Sequence, residues 1–255
     1  MDPRAVLTAF DEQVRRRPRF GDGRVEDDGD IVRSVSSGGG WNGVAWCDLD
    51  GADVDARIRD QIRRFAEISR PWEWKHYSYD RPADLPERLV AAGLTRQDDE
   101  ALLVADIADL ALDVGLPAGV ELRPVEDARD VEALVQVHND VFGGDYSTLG
   151  TFLQRGLGDG TAAAVVAWAG RTPVSAARAE FHLGTDFTSL WGGGTLPAWR
   201  GKGVFRSLVA YRAALAKAKG FRYLQVDASP DSRPILRRLG FVELATTTPF
   251  THPGR

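Results

Sequence analysis

The chain has 255 residues, 43% hydrophobic and 27% charged, with a formal net charge of −5. This composition suits one large core or two small ones and excludes disordered and collagen-like chains. One cysteine, Cys47, excludes a disulfide framework and a cysteine zinc site, and four scattered histidines point away from any metal. No apolar run reaches the roughly 18 residues of a membrane span. The amino terminus is charged on both sides of a short apolar patch, which is not a signal peptide, so a cytoplasmic protein is expected.

In chain order, Val6, Leu7, Phe10 and Val14 form a helical stripe that Pro18 ends. Turns at Gly21-Asp22-Gly23 and Asp27-Asp28-Gly29-Asp30 bracket short strands, the clearest over residues 30–36, and residues 41–47 form another after Gly38-Gly39-Gly40. Val54, Ile58, Ile62, Phe65 and Ile68 mark an amphipathic helix over 54–69. A strand over 72–79, a helix over 85–92 stopped by Gly93, and a strand over 101–107 complete the first half. Aromatic residues Trp72, Trp74, Tyr77 and Tyr79 on that strand are expected to pack between domains.

Past Gly115, Pro117 and Gly119, the pattern predicts helices over 128–141 and near 149–157, then a hairpin of 162–168 with 174–182. A strand over 188–196, a helix over 204–219, a strand over 223–227 and a helix over 232–239 follow, and 241–245 with the terminal stretch finish this half's sheet. Ala92-Gly93-Leu94 and Leu239-Gly240-Phe241 both close a helix and open a strand, 147 residues apart. At that offset strand, helix, strand, helix, strand occurs twice, so the domains are placed at 1–115 and 116–255 as tandem copies.

Charge divides the same way. Residues 1–115 carry 16 basic and 24 acidic groups, a net of −8, whereas 190–255 carry 11 basic and 3 acidic, a net of +8. A cationic segment in an acidic protein suggests a compact phosphorylated ligand; without a repeated basic-aromatic pattern, nucleic acid is not expected.

The most informative segment is Trp191-Gly192-Gly193-Gly194-Thr195-Leu196-Pro197-Ala198-Trp199-Arg200-Gly201-Lys202-Gly203-Val204-Phe205-Arg206. A strand runs through a glycine-rich turn into a helix whose first N–H groups and positive dipole end face the turn, which suits a pyrophosphate. Arg200, Lys202 and Arg206 add cationic charge. The spacing lacks the G-x-x-x-x-G-K-[ST] of a P-loop.

Arg200-Gly201-Lys202-Gly203-Val204-Phe205 resembles the Q/R-x-x-G-x-G/A pyrophosphate signature of the GNAT superfamily of acyl-CoA-dependent N-acetyltransferases at its first and fourth positions. The sixth, usually Gly or Ala, is Phe205, which is expected to crowd the helix start; Leu239-Gly240-Phe241 resembles the family's closing L-G-F. The resemblance covers about residues 120–250. It implies an α/β (α+β) fold of two tandem GNAT-like domains, each a mixed, mostly antiparallel splayed sheet flanked by helices. It also implies acetyl-CoA as co-substrate, no metal, and a small-molecule or peptide amine that attacks the thioester directly.

By the same resemblance, backbone groups of Thr195 and Leu196 would pair with the pantetheine amides, and a backbone N–H near Leu196 would polarise the thioester carbonyl. The amides of Gly201, Lys202, Gly203, Val204 and Phe205 would hold the pyrophosphate, with Arg206 or Arg233 meeting the ribose phosphate. The customary tyrosine acid aligns with Leu236, so Ser229, Ser232, Tyr146 or a water would protonate the thiolate. Candidate bases are Glu180, whose direction alternation leaves open, His182 on the same strand face, and His138. Tyr146 with Asp145 is also placed to line the acceptor pocket.

At the 147-residue offset Asp53 stands in the place of Arg200 and Ala56 in that of Gly203. Asp48, Asp50, Asp53 and Asp55 surround a helix start where phosphate would sit, so the first copy is expected to keep the fold without binding CoA in the same way. A non-catalytic acyl-CoA-binding or regulatory protein is the alternative function.

Overall fold

A computed structural model describes residues 1–18, 23–36, 40–112 and 115–254. The predicted turns at Gly21-Asp22 and Gly38-Gly39 lie outside the described residues. The chain opens with α1 (Pro3–Phe10), capped by the Asp2 side chain on the Arg4 amide and prolonged by one π-helical turn, Asp11–Arg15. Then come β1 (Arg24–Asp27), β2 (Ile31–Val35), β3 (Gly43–Cys47), α2 (Val54–Ala66), β4 (Trp72–Tyr77), α3 (Leu85–Ala91), β5 (Thr95–Arg96) and β6 (Glu100–Asp106). The remaining elements are β7 (Val120–Pro124), α4 (Ala128–Phe142), α5 (Ser147–Gly158), β8 (Ala162–Ala169), β9 (Thr172–Phe181), β10 (Phe187–Thr195), α6 (Val204–Ala218), β11 (Tyr223–Ala228), α7 (Arg233–Leu239) and β12 (Val242–His252).

Two compact units result. The first joins Asp2–Leu102 with Asp227–Arg233 and Glu243–Arg255; the second joins Leu103–Val226 with Pro234–Val242 and Met1. Strands follow the order β1-β2-β3-β4-β12-β6 in the first, with β5 on β12, and β6-β11-β10-β9-β8-β7 in the second. The register is antiparallel in β1·β2, β2·β3, β4·β12, β5·β12, β7·β8, β8·β9 and β9·β10, and parallel in β3·β4 and β10·β11.

In the first unit, alternate positions of the strands bury Ile31, Val44, Trp72, Trp74 and Phe250 against Ile58 and Phe65 of α2 and Leu85 and Leu89 of α3. The Phe65 and Trp72 rings stack at 4.5 Å. Trp72 and Trp74 thus pack in this unit's own core, a correction to the inter-domain placement the alternation suggested. Arg15 is buried too. Its Nη2 donates to both Asp80 carboxylate oxygens at 2.9 Å, its Nε to the Ala45 carbonyl at 3.0 Å, and the Tyr77 ring lies 3.8 Å from the guanidinium carbon.

In the second unit the sheet carries helices on opposite faces. Ala164, Val166 and Ala176 meet Val131, Leu134 and Val137 of α4, while their neighbours Val165, Ala167 and Ala177 meet Val204 and Leu208 of α6.

The terminal strand differs from expectation. Instead of closing the second half's sheet, β12 pairs with β4, Phe250 opposite Trp74, and β6 lies beside β11. The last strand of the chain thus completes the first unit's sheet, which chain order alone does not anticipate. β7 reads as loop in the sequence because only Val120 of its five residues is buried, and Pro124 ends it.

Candidate functional site

β10 begins as a paired strand and continues as an edge. Its parallel register with β11 runs Phe187↔Tyr223, Thr188↔Leu224, Ser189↔Gln225 and stops there, while pairing with β9 continues to Thr195↔Ser175. Between Trp191 and Gly194 the β9 register shifts, so Gly192 and Gly193 together oppose Ala177.

The three glycines of this stretch leave room for rings. A Cβ on Gly192 would lie 2.3 Å from His138 Nε2 and 3.1 Å from Arg178 Nη1, and Gly192 has φ +57°. A Cβ on Gly193 would meet the Phe205 ring at 2.8 Å, and one on Gly194 would meet Phe142 and Val141 at 3.0 Å. Phe205 therefore lies across Gly193 instead of filling the mouth of the turn. That corrects the expected crowding at the sixth signature position: the volume gained there is offset by the side chain missing from the strand.

The turn itself is a bare helix start. Gly203 is the N-cap of α6, with φ +89°, and no side chain caps it. Among the described residues, the amides of Gly201 through Arg206 donate no hydrogen bond; the first donated within the turn is Ser207 N–H to the Gly203 carbonyl. Lys202 Nζ sits 4.8 Å from the Trp199 ring centroid. Neither Lys202 nor Arg206 has a carboxylate partner among the described residues. The corresponding start of α2 is closed, because Asp53 Oδ1 accepts from the Ala56 amide at 3.0 Å.

Arg200 donates Nε–H to the Thr195 carbonyl at 3.0 Å and so holds the end of β10. Thr195 is buried, with its hydroxyl 2.7 Å from that of Ser175. Leu196 N–H donates to the Val174 carbonyl at 3.0 Å. This amide is engaged within the sheet, so a backbone N–H near Leu196 that polarises a thioester would be one of its neighbours.

Of the base candidates, Glu180 accepts from Arg178 Nε through Oε1 at 2.9 Å, and its Oε2 has no hydrogen-bond partner among the described residues. His182 Nε2 lies 2.6 Å from the Ser189 hydroxyl, which donates to Gln225 Oε1 at 2.6 Å. His138 is fully buried on α4. Its Nδ1 meets the Leu134 carbonyl at 2.9 Å, and its Nε2 has no hydrogen-bond partner among the described residues. Burial lowers the His138 pKa, with the Arg178 charge acting in the same direction.

Tyr146 packs tilted against the His138 and Phe142 rings, centroids 5.7 and 6.1 Å away, and is half-buried. Ser229 and Ser232 belong to the first unit, in the turn before α7, and their hydroxyls lie 3.3 Å apart. Leu236 is buried and offers no hydroxyl. Arg233 is paired with Glu243 at 2.8 and 2.9 Å, so its charge is already balanced.

Sequence reasoning missed Arg178 and Arg212. Arg212 is 2% exposed and donates Nε–H to the Leu208 carbonyl at 3.0 Å and Nη1–H to the Arg178 carbonyl at 3.1 Å. Its signal was the i, i+4 series Val204, Leu208, Arg212, which sets an arginine on the buried stripe of α6. Among the described residues there is no cluster of three metal-ligating side chains, and no helix is long and apolar enough to cross a membrane.

No family model matches the chain, and no curated protein does. Solved structures do. A GCN5-related N-acetyltransferase from Kribbella flavida matches with TM-score 0.69 and 23% identity over 99% of this chain and 95% of that one. A GCN5-related N-acetyltransferase from Sphaerobacter thermophilus matches with TM-score 0.63 and 11% identity over 89% and 77%. A tandem GNAT protein from the clavulanic acid biosynthesis pathway matches with TM-score 0.55 and 13% identity over 88% and 78%. The chain has the GNAT fold, a mixed α/β architecture with a tandem GNAT protein among its structural neighbours.

Proposed function

We propose that the second unit binds acetyl-CoA and transfers its acetyl group to a small-molecule amine or an exposed peptide amino group. The observation that carries this reading is the bare N-terminus of α6, set beside the capped one of α2. Unused amides at the positive end of a helix, reached through two glycines with positive φ, suit a diphosphate. Lys202 and Arg206, without a carboxylate partner among the described residues, supply positive charge, whereas the N-cap of α2 is an aspartate, Asp53. The donor set fits a CoA pyrophosphate held by the amides of Gly201, Lys202, Gly203, Val204 and Phe205.

The edge of β10 beyond Ser189 then offers backbone groups to an extended pantetheine arm, as in strand addition. Arg200 and Thr195 hold the strand end, and Leu196 contributes its position there rather than its amide. An arm anchored at Gly203 and extended back along this edge brings the thioester to the bulge at Trp191–Gly194. There the amine nitrogen bonds to the carbonyl carbon, the C–S bond breaks, and the electron pair leaves on sulfur. Glu180 Oε2 takes the amine proton directly or through water, and Tyr146 or a water returns one to the thiolate.

Titration of acetyl-CoA into the protein, followed by calorimetry, tests the reading. Micromolar binding is expected for the parent, none for Gly203→Glu, and roughly fivefold weaker binding for Lys202→Glu, whose exposed site spares the fold. Melting curves check that each variant is folded. A parent that does not bind overturns the proposal. The buried Leu236 favours a second reading, binding without turnover, and release of free thiol in the presence of amines separates the two.

A further inference from the structure

The bulge in β10 is gripped from both faces of the sheet. From the α4 side, the His138 ring fills the space a side chain on Gly192 would take. From the α6 side, Arg212 reaches the carbonyl of Arg178, the last β9 residue in register with β10 before the shift. Arg212 is buried, and no carboxylate pairs with it among the described residues. A buried guanidinium without a counter-ion is costly, and apolar residues of similar size are often as stable or more so in such places. Burial and, secondarily, the Arg178 charge pull its pKa below the ordinary value. Retaining a cation here has a reason if it acts on the strand it holds.

We propose that Arg212, with His138 opposite, is a positioning residue that fixes the two-against-one bulge at Trp191–Gly194 and so aims the β10 amides that polarise the thioester carbonyl. The proposal rests on acetyl-CoA binding along β10, as argued above. Arg212 acts through the backbone it holds, so its removal alters the polarisation of a bound thioester more than the affinity for it.

The test uses acetyl-CoA carrying carbon-13 at the thioester carbonyl, with the resonance followed on binding to the full-length protein. The bound parent is expected to show a downfield displacement from free acetyl-CoA. Arg212→Met is expected to lose most of that displacement and Arg212→Lys to keep most of it, with affinity within about threefold of the parent in both. Melting curves accompany each variant; should Arg212→Met not fold, His138→Ala is read by the same criterion. A folded, binding variant whose carbonyl resonance matches the parent's overturns the proposal and leaves the functional reading standing. A parent that does not bind acetyl-CoA overturns both.

Discussion

At Gly192 the need for glycine is double: φ is +57°, and the His138 ring already fills the place of a side chain. Gly192→Ala is expected to lower stability by about 2–4 kcal/mol, combining left-handed strain with overpacking, as read by urea unfolding. His138→Ala in the same chain should recover part of that loss, because it removes the clash and leaves the strain. Phe205 and Gly193 form a second such pair on the other face. Phe205→Ala removes a half-buried ring and is expected to cost about 1–2 kcal/mol; in the proposed cradle, which uses backbone amides, acetyl-CoA affinity is expected to stay within about twofold. A loss of affinity without loss of stability would place the ring in the binding site instead. The glycines were legible in the sequence, but their partners were not: His138 and Phe205 lie 54 and 12 residues away from the glycines they cover, a relation no local pattern carries.

Helices α2 and α6 start alike in chain position and oppositely in chemistry. Asp53→Ala is expected to destabilise the first unit by about 1 kcal/mol through loss of its cap, without creating an acetyl-CoA site, since Asp48, Asp50 and Asp55 remain around the helix start. Strand β1 is held by charge: Glu26 accepts from Arg64 at 2.6 and 2.9 Å, from Arg33 at 2.8 Å and from Arg24. The Arg64 hydrogen bonds foremost, then those from Arg33 and Arg24, lower the Glu26 pKa from 4.5 to about 2 against the opposing effect of burial. A carboxyl depressed in the folded state contributes stability that is present above pH 4.5 and lost as pH falls through about 2. Glu26→Gln should therefore cost about 1 kcal/mol at neutral pH and nothing below pH ~2, as measured by denaturant midpoints across that range. A constant deficit over the whole range would show that charge is not the cause. Long helices and buried strands were legible because their apolar stripes repeat at 3.6 or 2 residues. β5 and β7 were not, because short exposed strands carry little hydrophobic pattern.

The first unit's sheet depends on β12, a strand from the far end of the chain. A fragment ending at residue 115 lacks β12, and with it Phe250 in the core beside Trp74. Such a fragment is expected to show no cooperative thermal transition by circular dichroism, whereas the full chain does. A cooperative melt of the fragment would show that β12 is dispensable to the first unit. The sequence by itself determined the doubled order of elements, the glycine-rich turn into α6, the cationic tail of the chain and the aspartates at the start of α2. These are local properties of composition and spacing. Tertiary structure decided which unit the final strand joins, that the Leu196 amide goes to Val174, that Phe205 lies on Gly193, and that Arg212 is buried beneath the bulge. Each of these depends on pairing between residues distant in the chain, where the partner, and not the residue's own type or its neighbours, determines the free energy.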